Sequence, residues 1–215
     1  HELGKWNLDE LAKNPNRAII DKKLARIESD SKRFEKIKKS LNPKVSSGKF
    51  LKLLHDVENI AEKSSVIGGY ASLRYSENTQ SDEATALLTR ISKFGSDIEN
   101  RLLFFDLWWK RQVDEKNAKR LIKSAGQFSE YLRFKRLLAK YSLSEPEEKI
   151  INTLDVTGAS ALVKLYDKIT NAYVYTITVD GKKRTMNREQ LTTLVRSKKA
   201  KTREAAYKSL FSKYG

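Results

Sequence analysis

The sequence predicts a mainly α-helical protein, with a bundle of long antiparallel helices followed by a smaller helical subdomain that contains one β-hairpin. Apolar residues recur at helical spacing along most of the 215 residues. Only three prolines and nine glycines are present, so few positions would break a helix. One short run near residue 175 instead alternates β-branched and aromatic residues, as a strand does.

Residues 1–142 are expected to form the bundle. A tryptophan-led turn, "WNLDEL" at 6–11, comes first, and the polar run "SENTQSDEA" later separates two helices, with Ser81 as the expected N-cap. Long helices joined by short connections pack antiparallel. Helices are expected at 17–41, from the "NPKVSSG" break to about 74, and at 82–113. Residues 114–141 are expected to form one further helix or a broken pair.

Residues 143–215 are expected to form the subdomain. "SEPE" at Ser144–Glu147 supplies the serine and glutamate of a capping box, with a proline in the first turn, and opens a helix to about Leu154. A second helix is expected to restart with Thr157 as its N-cap. Two short helices complete the subdomain, and "NREQ" at Asn187–Gln190 caps the first of them.

The β-hairpin is predicted at about 173–186, in "YVYTITVDGKKRTMN". Alternating β-branched and aromatic residues lead to Asp180–Gly181, a dipeptide typical of a two-residue hairpin turn.

The composition excludes several kinds of site. No cysteine occurs, which excludes disulfides, thiolate metal sites and a cysteine nucleophile. The two histidines, His1 and His55, offer little material for a histidine-based metal site or a Ser-His-Asp triad. The best apolar run is far shorter than the ~20 residues of a membrane-spanning helix, so we expect a cytoplasmic protein without a membrane partner.

Four segments together resemble the N-terminal region of oligoendopeptidase F, a zinc metallopeptidase related to thimet oligopeptidase. The most specific are "LSEPEEKIINTLDVTGASALVKLYDKITNAYVY" and "MNREQLTTLVRSKKAKTREAAYKSLFSKY". "WNLDEL" and "GYASLRYSENTQSDEATALLTRI" extend the resemblance over nearly all of the chain. The resemblance implies that the chain is a non-catalytic lobe, which shapes the channel in which such enzymes hydrolyse short peptides.

The family's catalytic motif is missing. An HExxH helix holds zinc with its two histidines, but "HELGK" at the start has Lys5 where the second histidine is required. The resemblance therefore implies no cofactor in this chain and zinc in a catalytic lobe elsewhere. The implied partners are that lobe and oligopeptide substrates. A fragment of such an enzyme is favoured over a relative that lost its chemistry.

Two sets of residues are candidates for the lobe's function. Tyr70, Arg74 and Tyr75 end a predicted helix and could form part of a substrate-channel wall. The favoured interpretation is that Tyr70 is a core residue and Arg74 belongs to an ion pair.

The run "LLFFDLWWK" at 102–110 is the second candidate. Its apolar residues cover an arc of about 260° of a helix, so this helix needs neighbours on at least two sides. Asp106 and Lys110 are expected to pair on the remaining stripe. The favoured interpretation is that the bundle and the subdomain bury the run. The alternative places four lobe-interface aromatics against a catalytic lobe: Phe104, Phe105, Trp108 and Trp109.

The chain is strongly basic, with a net charge of +16. Residues 182–208 hold ten Lys/Arg against two glutamates, a net +8. A basic patch of Lys182, Lys183, Arg184 and Arg188 could bind nucleic acid, but no nucleic-acid-binding motif accompanies it. A solvated surface is the favoured interpretation. A stand-alone nucleic-acid-binding protein and a non-catalytic peptide-binding adaptor are the alternative functions.

Overall fold

A computed structural model describes residues 6–13 and 15–214, and over these residues the chain is mainly helical with a single β-hairpin. The predicted fold class is confirmed. The chain divides into two compact units, His1–Ala159 and Ser160–Gly215. His1 lies outside the described residues.

The described residues of the first unit form three long helices and three shorter ones. The predicted broken pair at 114–141 is present, and Gly126, with φ +55°, lies in the break. A π-helical turn, Trp108–Gln112, follows the third helix. The helices are α1 (Arg17–Glu35), α2 (Ser47–Glu77), α3 (Asp82–Leu107), α4 (Glu115–Lys123), α5 (Ser129–Leu137) and α6 (Glu145–Thr157).

Helix starts follow the side chains that the sequence provides. Ser81 is the N-cap of α3, and its Oγ accepts the backbone N–H of Ala84 at 3.2 Å. At α6 the Ser144 N–H donates to Glu147 at 2.8 Å, which completes the predicted capping box. Such caps satisfy backbone N–H groups that have no partner within the helix.

The core of the first unit lies where α1, α2 and α3 pack together. A network of aromatic rings fills its centre. The ring centroids of Phe34 and Phe105 are 5.4 Å apart, and those of Phe50 and Trp109 are 5.2 Å apart. These spacings are typical of favourable aromatic pairs. Helix α3 is central because its apolar side chains cover a wide arc of the helix and need neighbours on more than one side.

Helix α6 belongs to the first unit because it packs on α3. The Ser96 hydroxyl donates to the Asn152 carbonyl at 3.0 Å, and the Asn152 amide donates to the Asn100 side chain at 2.9 Å. The structural division therefore falls at 159/160, after α6, and not at the expected boundary of 142/143.

The junction after α6 corrects one expectation. Helix α6 runs to Thr157, so Thr157 ends this helix and is not the N-cap of the next one. The N–H of Gly158 donates to the Leu154 carbonyl at 2.6 Å, and a Cβ at Gly158 would lie 2.8 Å from that oxygen. The backbone approach is thus too close for any side chain at this position.

The second unit combines a hairpin with three helices: α7 (Ala159–Asn171), β1 (Tyr175–Val179), β2 (Lys182–Met186), α8 (Arg188–Leu194) and α9 (Ala200–Phe211). The strands pair antiparallel, and the turn between them has φ +48° at Asp180 and φ +76° at Gly181. Two positive φ values are the signature of the predicted turn type. Alternate residues of β1 pack against Leu191 and Ala206 to form a small core.

Candidate functional site

The first unit contains a mostly apolar groove of about 550 Å³. Its walls come from α2, α3 and α5, with Asn152 of α6 at one side. The volume lies within the range of about 300–1,000 Å³ that is typical of ligand pockets. Leu54 and Val57 of α2 and Leu102 and Leu103 of α3 supply much of the apolar lining.

Helix α5 forms one wall of the groove, and it is held in place because it packs on the π-helical turn and on α4. The Trp109 indole Nε1 donates to the Leu132 carbonyl at 3.0 Å. In return, Arg136 donates to the carbonyls of Trp109 at 3.1 Å and Val113 at 2.8 Å. These bonds fix α5 at one end of α3. Phe128 and Tyr131 border the groove at this end.

A charge network lies at the floor of the groove. Asp106 accepts from Lys110 at 2.6 Å and from Lys135 at 2.9 Å, so the predicted pair of Asp106 and Lys110 is present and has a third member. Burial lowers the pKa of Lys135, but the Asp106 carboxylate and the Tyr131 hydroxyl outweigh this effect. The pKa of Lys135 therefore lies above its ordinary value, and the ammonium stays charged.

Glu99 differs from Asp106 in having no cation beside it. Within residues 6–13 and 15–214, no hydrogen bond or ion pair reaches its carboxylate. The Glu99 side chain is exposed and lines the groove, and the protein around it desolvates its carboxylate only in part. This desolvation raises the pKa of Glu99, and the nearby charge of Asp155 raises it further.

The residues predicted for a channel wall do not line this groove. Tyr70 and Tyr75 are buried, and burial raises the pKa of Tyr70. Arg74 forms an ion pair of 3.0 Å with Glu77. A place for these three residues in a channel wall stays a prediction.

The four predicted lobe-interface aromatics are buried in the first unit. Phe104, Phe105, Trp108 and Trp109 are each less than a tenth exposed: 5%, 7%, 2% and 2%. They pack against the rings of Phe34 and Phe50, which leaves no exposed aromatic patch at this place. These exposures agree with the favoured interpretation of burial and not with the alternative of an exposed patch, and Phe105 and Trp109 also contribute to the groove wall.

The predicted basic patch is divided between the two faces of the hairpin. Lys182 pairs with Val179 and Arg184 with Ile177, whereas Lys183 pairs with Thr178. Paired residues share a face and neighbouring residues alternate, so Lys183 lies on the opposite face from the other two. This hairpin does not gather its basic side chains into one stripe.

The described residues do not fit a zinc site. No group of three histidine, cysteine, aspartate or glutamate side chains is placed to hold a metal within 6–13 and 15–214. His55 instead lies 3.1 Å from Glu58 and packs on the ring of Phe128. Over the same residues, no helix combines the length and hydropathy that crossing a bilayer requires.

Sequence analysis missed the role of Lys135. Its spacing of four from Tyr131 was a signal for a shared helix face, but its partner Asp106 is distant in the sequence. Only packing of α5 at the end of α3 reveals this contact.

Comparison with known proteins identifies related folds. Residues 111–174 match the family model described as Oligopeptidase F. No curated protein matches the chain. The crystal structure of oligoendopeptidase-F from Enterococcus faecium has a similar fold, with a TM-score of 0.68 and 20% sequence identity. The similarity covers 90% of this chain and 38% of that one, so this chain spans little more than a third of that length. The predicted resemblance to the N-terminal region of oligoendopeptidase F is thereby confirmed.

Proposed function

We propose that this chain is the non-catalytic N-terminal lobe of an oligoendopeptidase F-like zinc metallopeptidase, and that it shapes the channel in which short peptides are hydrolysed. The observation that carries the proposal is the shared fold, which covers 90% of this chain but 38% of the matched one. The family match at 111–174 supports it independently. The hydrolytic reaction and its zinc belong, in this proposal, to a catalytic lobe.

An exposed apolar stripe on α7 supports the need for such a partner. Leu162, Leu165, Tyr166 and Ile169 follow each other at helical spacing and are 67%, 54%, 53% and 48% exposed. Residues at these intervals share one face of a helix. A contiguous apolar face of this kind is typical of a surface that another domain covers. The catalytic lobe is the partner that the proposal supplies.

The proposal assigns zinc to the catalytic lobe. Zinc hydrolases hold the metal with three protein ligands and use it to activate a water molecule. In the proposal, the catalytic lobe supplies these ligands and the hydrolytic step.

The proposal is tested with two polypeptides. One is chain 1–215, and the other is the product of the complete native reading frame from which the chain comes. Both are assayed with an internally quenched oligopeptide, with and without added zinc. We expect zinc-dependent cleavage by the complete product and none by chain 1–215. Zinc-dependent turnover by purified chain 1–215, or a complete product without an HExxH helix, would contradict the proposal.

A further inference from the structure

The groove between α2, α3 and α5 combines an apolar wall with excess negative charge. Its charged lining groups are the carboxylates of Glu58, Glu99 and Asp106 and the ammonium of Lys135. The chain carries a net charge of +16, whereas the lining of this groove holds three carboxylates against one ammonium. This contrast gives the groove a ligand preference that the surrounding surface does not share.

Two of the three carboxylates already have partners. Asp106 is held by Lys110 and Lys135, and Glu58 lies beside His55. Glu99 is left without a hydrogen bond or ion pair from the described part of the chain. Glu99 is therefore the lining carboxylate that, among the described residues, neither a cation nor a histidine contacts, and it lies on the same helix as Leu102 and Leu103 of the apolar wall.

We propose that the groove binds a peptide segment that carries apolar side chains and one lysine or arginine, with the cationic group beside Glu99. The apolar side chains occupy the space between α2 and α3. Tyr131, which is half exposed at the rim, covers them from the side of α5. A peptide with an acidic side chain at this place would be repelled by the carboxylate of Glu99.

The binding site belongs to the first unit alone, so it can be tested in chain 1–215 without any hydrolytic activity. The probe is a fluorescein-labelled, amidated hexapeptide, Leu-Phe-Lys-Leu-Ala-Gly. Two matched peptides replace the lysine with norleucine, which keeps the apolar stem, or with glutamate. Fluorescence anisotropy gives the Kd of each peptide. We expect the lysine peptide to bind about fivefold more tightly than the norleucine peptide, and the glutamate peptide to bind most weakly.

Two variants locate the site. Glu99→Gln removes the charge and should abolish the preference for lysine over norleucine. Ala61→Trp fills the groove from an exposed position of α2 and should weaken binding of both peptides about tenfold. Matched controls on α3 are Asp97→Asn and Ala86→Trp, which lie at exposed positions outside the groove and should bind as the unaltered chain does. Circular dichroism and thermal melting establish that each variant is folded.

Three results would overturn the proposal. The first is the absence of saturable binding by the folded chain. The second is a lysine preference that survives in Glu99→Gln, or binding that survives in Ala61→Trp. The third is self-association in sedimentation experiments that Ala61→Trp abolishes, because a second copy of the chain would then be the occupant of the groove.

Discussion

The indole Nε1 of Trp109 donates a hydrogen bond of 3.0 Å to the backbone carbonyl of Leu132. This bond joins the π-helical turn after α3 to α5, and both residues are 2% exposed. Arg136 donates back to the Trp109 carbonyl, so the two segments are linked in both directions. The groove between α2, α3 and α5 depends on this link, because α5 forms one of its walls.

Trp109→Phe should destabilise the first unit. Phenylalanine keeps a ring in the aromatic core but removes the donor to Leu132 and leaves a small cavity. We expect the free energy of unfolding to fall by about 2 kcal/mol. Urea denaturation followed by circular dichroism measures the change. Trp6→Phe is the control, since Trp6 is 52% exposed and its substitution should change stability by less than about 0.5 kcal/mol.

Asp106→Asn should remove the charge that Lys110 and Lys135 share. Both lysine side chains are mostly buried, at 12% and 28% exposure. In the variant each ammonium therefore loses the carboxylate that neutralises its charge. We expect a loss of about 1–2 kcal/mol in the free energy of unfolding at pH 7. Glu204→Gln breaks an exposed pair with Lys208, which solvent screens, and should leave the stability nearly unchanged. Equal losses in the two variants would contradict a special role for Asp106.

The pH dependence of the Asp106→Asn effect has a definite sign. The folded pKa of Lys135 is raised above the ordinary value of 10.5 because of the Asp106 and Tyr131 contacts, despite burial. A raised lysine pKa stabilises the fold below 10.5, and this contribution disappears as the pH rises through the folded pKa. The difference in unfolding free energy between the unaltered chain and the variant should therefore shrink above pH 10.5. A difference that grows with pH would refute this account.

Glu99→Gln should raise stability at neutral pH. Glu99 is exposed, but partial desolvation by the surrounding protein and the charge of Asp155 raise its folded pKa above the ordinary value of 4.5, so ionisation of this group opposes folding. The group favours the fold below pH 4.5 and loses that contribution as the pH rises through its folded pKa. The thermal midpoint of Glu99→Gln should exceed that of the unaltered chain at pH 7, and the gain should vanish below pH 4. A gain that is independent of pH would have another cause.

Gly158→Ala should destabilise the junction of α6 and α7. The new Cβ would lie 2.8 Å from the Leu154 carbonyl oxygen, which is backbone and cannot move freely. We expect a loss of about 1–3 kcal/mol. Gly69→Ala is the matched control within α2, where a Cβ meets nothing within 4 Å. It should stabilise the helix by about 0.5–1 kcal/mol, so the two substitutions should have opposite signs.

Leu165→Glu tests the exposed stripe of α7. In chain 1–215 the side chain is 54% exposed, and the substitution should change stability by less than about 0.5 kcal/mol. In the complete product, where the proposed catalytic lobe covers α7, the loss should reach about 1.5–3 kcal/mol. Thermal melting of both polypeptides gives the comparison. Equal effects in both would argue against a covered stripe.

Local sequence signals predicted most of the secondary structure, because each depends on neighbours within a few residues. Ser81, Ser144 and Asn187 cap helices as their positions indicate, and Asp180–Gly181 forms the hairpin turn. The exception was the junction at Thr157. A threonine beside a glycine suits either end of a helix, and only the close approach to Leu154 decides between them.

The sequence by itself determined a mainly helical chain, the central position of α3, the hairpin and a resemblance that extends over nearly all of the chain. These features follow from periodicity, capping and turn chemistry, which act over short distances along the chain. The tertiary structure decided that Phe104, Phe105, Trp108 and Trp109 are core residues and that α6 joins the first unit. It also decided that Asp106 meets Lys135 while Glu99 meets no cation among the described residues, because such contacts depend on which helices pack together.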